Sequence, residues 1–98
     1  MARFDVYKGI KASGYLLDCQ SDLLDEFGSR VVVPLLPVAD VQTVSRLHPV
    51  FVIEDLPCIM STHLIFAIPL ERLGEKIASL AHEDLTITSA LDKLFSGY

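Results

Sequence analysis

Residues 15–35 read YLLDCQSDLLDEFGSRVVVPL, and the fold class follows from this stretch. Its first six residues alternate, with Tyr15, Leu17 and Cys19 on one face and Leu16, Asp18 and Gln20 on the other, the two-residue period of a β-strand. After Arg30, the β-branched run Val31, Val32, Val33 predicts a central strand. Pro34 lacks the amide hydrogen a ladder needs, so that strand is expected to end, bulge or run along an edge there, and Pro37 reinforces the break. Between the strands, residues 21–29 form a polar connector interrupted by Leu23 and Leu24, and Gly28 supplies the turn.

Working outward, residues 3–8 alternate with Phe4 and Val6 on one face and Asp5 and Tyr7 on the other, as in a half-buried strand. Residues 9–14 read as a hairpin connection longer than two residues. Residues 38–47 fit either a short helical turn or a bent strand. Residues 48–54 are strand-like, 55–57 a turn, and 58–62 pair back as a hairpin. Residues 66–68 make a further strand closed by Pro69. Leu70, Leu73, Ile77 and Leu80 are spaced three, four and three, which predicts helix, although Gly74 weakens it. The clearest helix covers residues 84–96, where Ile87, Leu91, Leu94 and Phe95 form one buried stripe and Gly97 ends it. The class is therefore mainly β with a C-terminal α-helix, a small curled sheet or barrel of short antiparallel strands.

The chain has 98 residues, enough for one domain, with 13 acidic and 8 basic side chains and a net charge of −5. Half of it, 51%, is hydrophobic, more than so small a body can hide, so an apolar patch covered by a second copy or another protein is expected. A pI near 4.9 argues against nucleic-acid binding through bulk charge. The longest uncharged run, residues 58–70, is too short to span a bilayer, and residues 1–5 carry no apolar signal core. Cys19 and Cys58 make neither a disulfide framework nor a CxxC pair. A cytoplasmic protein with reduced thiols is the expectation.

Catalytic signatures are missing from the sequence. His48, His63 and His82 have no metal-ligand spacing, and no metal or cofactor is expected. Cys19 shares a strand face with Leu17 and reads as an inert buried thiol; Cys58 has no cationic neighbour and reads as partly exposed. Asp22, Asp25 and Glu26 read as a solvated connector. Two features stand out instead. Leu23 and Leu24 sit among acids, where packing under the loop and outward display are both open. The end of the chain, Leu94-Phe95-Ser96-Gly97-Tyr98, places aromatic residues where an interface would use them.

The segment Tyr15-Leu-Leu-Asp18-Cys-Gln20-Ser21-Asp22-Leu23-Leu24-Asp25, then Gly28 and Arg30-Val-Val-Val-Pro34-Leu35, resembles the CcdB family of bacterial toxins. Residues 44–50, 68–82 and 90–97 continue the likeness, so residues 1–98 are expected to form a single toxin domain. The resemblance implies an SH3-like barrel that forms homodimers and acts without catalysis. It implies a toxin of a type II toxin–antitoxin pair, of the kind used in plasmid maintenance, that binds the A subunit of DNA gyrase and traps the cleaved DNA complex. A CcdA-like antitoxin would neutralise it by folding onto it. Phe4, Ser21, Leu23, Leu24 and Gly97 fall on the family's gyrase-facing positions, and Asp92, Phe95, Ser96 and Tyr98 lie beside them. The family's usual Trp-Gly-Ile ending is Ser96-Gly97-Tyr98 here, and Asp92 stands where asparagine is typical. Two alternatives stay open: a MazF-like endoribonuclease, and a homologue that keeps fold and antitoxin binding without poisoning gyrase.

Overall fold

In the computed structural model, residues 2–9, 14–24, 26–38 and 46–97 are described. The two-way reading of residues 38–47 falls mostly outside them, as do Asp25 and Tyr98. Seven strands build one antiparallel sheet: β1 (Asp5–Lys8), β2 (Tyr15–Asp18), β3 (Ser29–Pro37), β4 (Val50–Ile53), β5 (Leu56–Met60), β6 (Phe66–Pro69) and β7 (Lys76–Ser79). The order is β4-β5-β3-β2-β1-β7, with β6 also paired to β3. The helix α1 spans Asp84–Ser96. The sheet makes a small barrel-like body with α1 packed on the face that carries the main core, the class the sequence predicted.

The nine residues of β3 are the hub. One edge pairs with β2 from Val32 to Leu35. The other edge changes partner midway, meeting β6 over Ser29–Val32 and β5 over Leu35–Pro37. Pro34 occupies the gap. Its carbonyl accepts the Ser61 amide at 2.9 Å, so its hydrogen-less nitrogen falls on the same side, between the two partners, where no ladder bond is lost. The proline thus marks a switch of partner in a continuing strand instead of its end.

Both sheet faces are covered. Val6, Leu17, Val33, Leu35 and Met60 meet Ile87, Ala90 and Leu91 of α1 in the main core. Each fully buried aliphatic side chain there contributes about 1.5–3 kcal/mol. On the opposite face Leu16, Val32 and Ile68 form a second cluster closed by Leu73. That is why β1 is not half-buried as its alternation predicted: Asp5 and Tyr7 are buried as well as Val6.

Four further expectations are corrected. The turn between β4 and β5 is Glu54-Asp55, not residues 55–57; both have positive φ, 49° and 66°, the two-residue hairpin geometry that matches strand twist. Residues 70–80 are not helical. Leu70–Arg72 make one tight turn and β7 follows, so the helix-like spacing sends Leu73 to the second cluster and Ile77 and Leu80 to the main one. Gly74 explains the break, because a Cβ there would lie 3.1 Å from the Lys8 carbonyl oxygen where the chain crosses β1. Finally, Cys58 is fully buried, and on α1 Phe95 is 70% exposed, outside the buried stripe.

The left-handed Asp55 carries a cost that glycine would not. Asp55→Gly is expected to raise the unfolding free energy by about 0.5–1 kcal/mol in urea denaturation.

Candidate functional site

The QSD segment is built around a buried charge. Arg30 is 1% exposed, and its Nε and Nη2 both donate to Asp18 Oδ2, at 2.9 and 2.8 Å. Nη2 also reaches the Gln20 carbonyl at 3.1 Å and Asp22 Oδ1 at 3.5 Å. Asp18 Oδ1 accepts the Gln20 amide at 3.1 Å. Gln20 then spans the gap to the next strand: its Oε1 accepts the Val31 amide at 3.1 Å and its Nε2 donates to the Leu24 carbonyl at 2.7 Å. Ser21 closes the turn by accepting the Leu23 amide. Burial pushes the Asp18 carboxyl up, against the pull of Arg30 and the Gln20 amide. Asp22, read from sequence as a solvated acid, is half of a clamp holding both Arg30 and the Arg3 amide.

This network presents the turn Asp22–Leu24 outward. Leu23 is 89% exposed and Leu24 about half, so the pair does not pack under the loop. Across from it runs the last part of α1. Gly97 takes φ +78° and its amide returns to the Lys93 carbonyl at 3.0 Å, which fixes where the helix stops and how Phe95 and Ser96 stand. Between turn and helix lies a groove of about 390 Å³. Ser21, Leu24, Asp92 and Phe95 line it, four of the residues singled out from sequence. Leu23, Ser96 and Gly97 do not line it; they are exposed beside Leu24 and Phe95 in the chain.

Phe4 has a different place. It is buried, with φ +71°, beneath the Arg3 guanidinium at 4.5 Å from the ring centroid. It supports the groove wall and offers no surface of its own. Cys19 lines the groove floor, and burial pushes its thiol up to about 12, so it stays an unreactive thiol. Arg3, Gln20 and Ile65 also line the groove and were not singled out as site residues. Gln20 was visible in the motif, but no sequence pattern places Arg3 or Ile65 across from α1.

The histidines behave differently from their spacing. His48 Nε2 and His63 Nδ1 lie 2.8 Å apart, clamping the residue 46–49 turn to the Thr62–Leu64 turn. Burial and the neighbouring His63 lower the His48 pKa. Among the described residues no group of three metal-ligating side chains comes together, and no helix is long and apolar enough to cross a membrane.

A curled antiparallel sheet carrying one C-terminal helix is the small barrel-like fold of bacterial toxins. The chain belongs to the CcdB family: the family model described as CcdB protein matches residues 3–97. Solved structures share the fold at low identity. An endoribonuclease in complex with its cognate antitoxin from a mycobacterial species superposes with TM-score 0.78 at 17% identity, covering 96% of this chain and 93% of that one. The Mycobacterium tuberculosis toxin MazF-mt6 gives 0.74 at 18%, covering 93% of each. A further mycobacterial endoribonuclease gives 0.78 at 15%, covering 96% and 89%. These neighbours overturn the expectation that the chain is not an enzyme, because endoribonucleases are built on the same fold.

Two outcomes follow from the geometry. Arg30→Met leaves Asp18 buried and unpaired and is expected to cost about 3–5 kcal/mol in urea denaturation, whereas adding Asp18→Asn recovers much of the loss. The second concerns His48. With its folded pKa below the unfolded value of 6.5, the unfolded chain binds more protons in that window. Stability is therefore full above about pH 6.5 and falls as pH drops through it. His63→Asn is expected to make the fall shallower when urea midpoints are compared across that range.

Proposed function

We propose that this chain is the toxin of a type II toxin–antitoxin pair that binds the DNA gyrase A subunit and traps the gyrase–DNA cleavage complex. The observation that carries the reading is that Leu24 and Phe95 line one groove, with Leu23 exposed next to the first and Ser96 and Gly97 next to the second along the chain. Those residues are far apart in sequence, and the network around Arg30 and the glycine cap hold them in place. Exposed aliphatic and aromatic side chains on rigid supports lose little entropy on docking. A two-fold dimer would offer two such surfaces to a two-fold target, and the exposed Val50, Val52, Leu64 and Phe66 supply apolar area for a second copy or an antitoxin to cover. The cytoplasm is the setting this target requires.

Ser96 in place of tryptophan removes indole area from the helix end, and among the described residues there Phe95 carries the exposed aromatic surface. The fold shared with antitoxin-bound endoribonucleases favours a neutralising antitoxin here too, and it supports a second reading in which the chain cleaves RNA.

One assay pair separates these. Incubated with gyrase, ATP and supercoiled DNA, the protein is expected to yield linear DNA after detergent and protease. Phe95→Ala should weaken this about tenfold or more, and deleting Gly97-Tyr98 should abolish it while leaving a folded dimer. Sequence-specific cuts in single-stranded RNA without linear DNA would replace this reading with the second. Harmless overexpression with neither activity would mark a homologue that retains only the fold and its antitoxin.

A further inference from the structure

Arg3 is held as if for recognition. Its backbone amide donates to Asp22 Oδ1 at 2.8 Å, its Nε donates to the Cys19 carbonyl at 3.3 Å, and its guanidinium lies over the Phe4 ring. Phe4 is itself fixed, by its amide on the Asp18 carbonyl at 2.6 Å and by its carbonyl on the Leu80 amide at 2.8 Å. It keeps a left-handed backbone, φ 71°, that a bulky residue adopts only when its surroundings hold it there. These contacts leave the terminal Nη1 and Nη2 of Arg3 with no partner among the described residues. A guanidinium with a locked stem and a free fork suits a carboxylate, which it meets through two parallel bonds.

Among the described residues lining the groove Arg3 is the one cation, beside an apolar stretch of Leu24, Ile65, Leu91 and Phe95 and the polar side chains of Ser21, Thr88 and Asp92. A free phosphate would meet one cation and much hydrocarbon. A peptide would be served throughout: its apolar side chain enters the cleft, and Ser21 and Thr88 offer hydroxyls to its backbone. Asp92, on the helix side, repels a carboxylate and so directs it to Arg3.

We propose that the groove between the residue 20–24 turn and α1 is a peptide-docking site for an apolar segment carrying an acidic residue, whose carboxylate is bound by the Arg3 fork. The site shares Leu24 and Phe95 with the gyrase-facing surface, yet it does not require gyrase to be the target. Peptide selection without trapped DNA, or trapped DNA without peptide selection, tells the two readings apart.

The test uses the full chain and two capped peptides, acetyl-Leu-Glu-Phe-amide and acetyl-Leu-Gln-Phe-amide, titrated by NMR on the Arg Nε–H and methyl signals. The glutamate peptide is expected to bind about tenfold tighter, the scale of one charge-assisted pair, with shifts at Arg3, Leu24, Ile65 and Leu91. Arg3→Gln should erase the preference while methyl shifts persist, Arg3→Lys should keep part of it, and Asp92→Asn should tighten the glutamate peptide. No binding of either peptide, equal affinities, a preference that survives Arg3→Gln, or shifts confined to another face would overturn the proposal. If Arg3→Gln does not fold, the Asp92→Asn arm decides: unchanged or weaker glutamate binding refutes it.

Discussion

A guanidinium with almost no access to water is the constraint on which the rest of this molecule depends. Arg30 sits on β3, the strand that touches β2, β5 and β6, and its charge is met by Asp18 on β2. A charge so placed must be paired in one geometry, and each group that pairs it becomes a fixed point. Asp18, the Gln20 carbonyl and Asp22 are those points, and through Gln20 the constraint extends to Leu24 and Val31. One nitrogen, Nη1, has no hydrogen-bond partner among the described residues. Such a pair adds little net stability, because desolvation offsets most of its attraction. What it does instead is define the path of residues 18–24, a connector with too few buried side chains to define itself.

The groove between residues 20–24 and α1 inherits that definition. On one side residues 20–24 are held as a wall that displays Leu23 and Leu24 to solvent. On the other, α1 is pinned by Ile87, Ala90 and Leu91 and stopped by Gly97. Neither wall moves easily, so the space between them is preformed. Exposed Leu23 and Phe95 would be unfavourable on an isolated protein and are understandable on one that docks.

Much of this was legible in the sequence, and the failures have physical causes. Alternation marked β1 and β2, β-branching marked β3, and the period of α1 with its terminal glycine placed the helix. The residue 70–80 segment misled because a three-four-three spacing also arises when a chain passes between two cores, feeding Leu73 to one and Ile77 to the other. Pro34 misled because the rule for proline concerns a lost ladder bond, and here the ladder has a gap. The site was half legible. Ser21, Leu24, Asp92 and Phe95, singled out from the sequence, line one groove, whereas Phe4 lies buried beneath Arg3, and Arg3 gave no local signal because its place depends on a fold that brings residue 3 beside residues 19 and 22. The His48–His63 contact was hidden for the same reason, fifteen residues apart and joined only by two turns.

We propose that residues 20–24 and the end of α1 dock together on the gyrase A subunit. Hydrogen–deuterium exchange of the full chain, free and mixed with the A subunit, tests this most directly. Slowed exchange in residues 20–24 and 91–97 together, with the β4–β5 hairpin unchanged, is the expected result. Protection confined to that hairpin, or no protection at saturating A subunit, would contradict it.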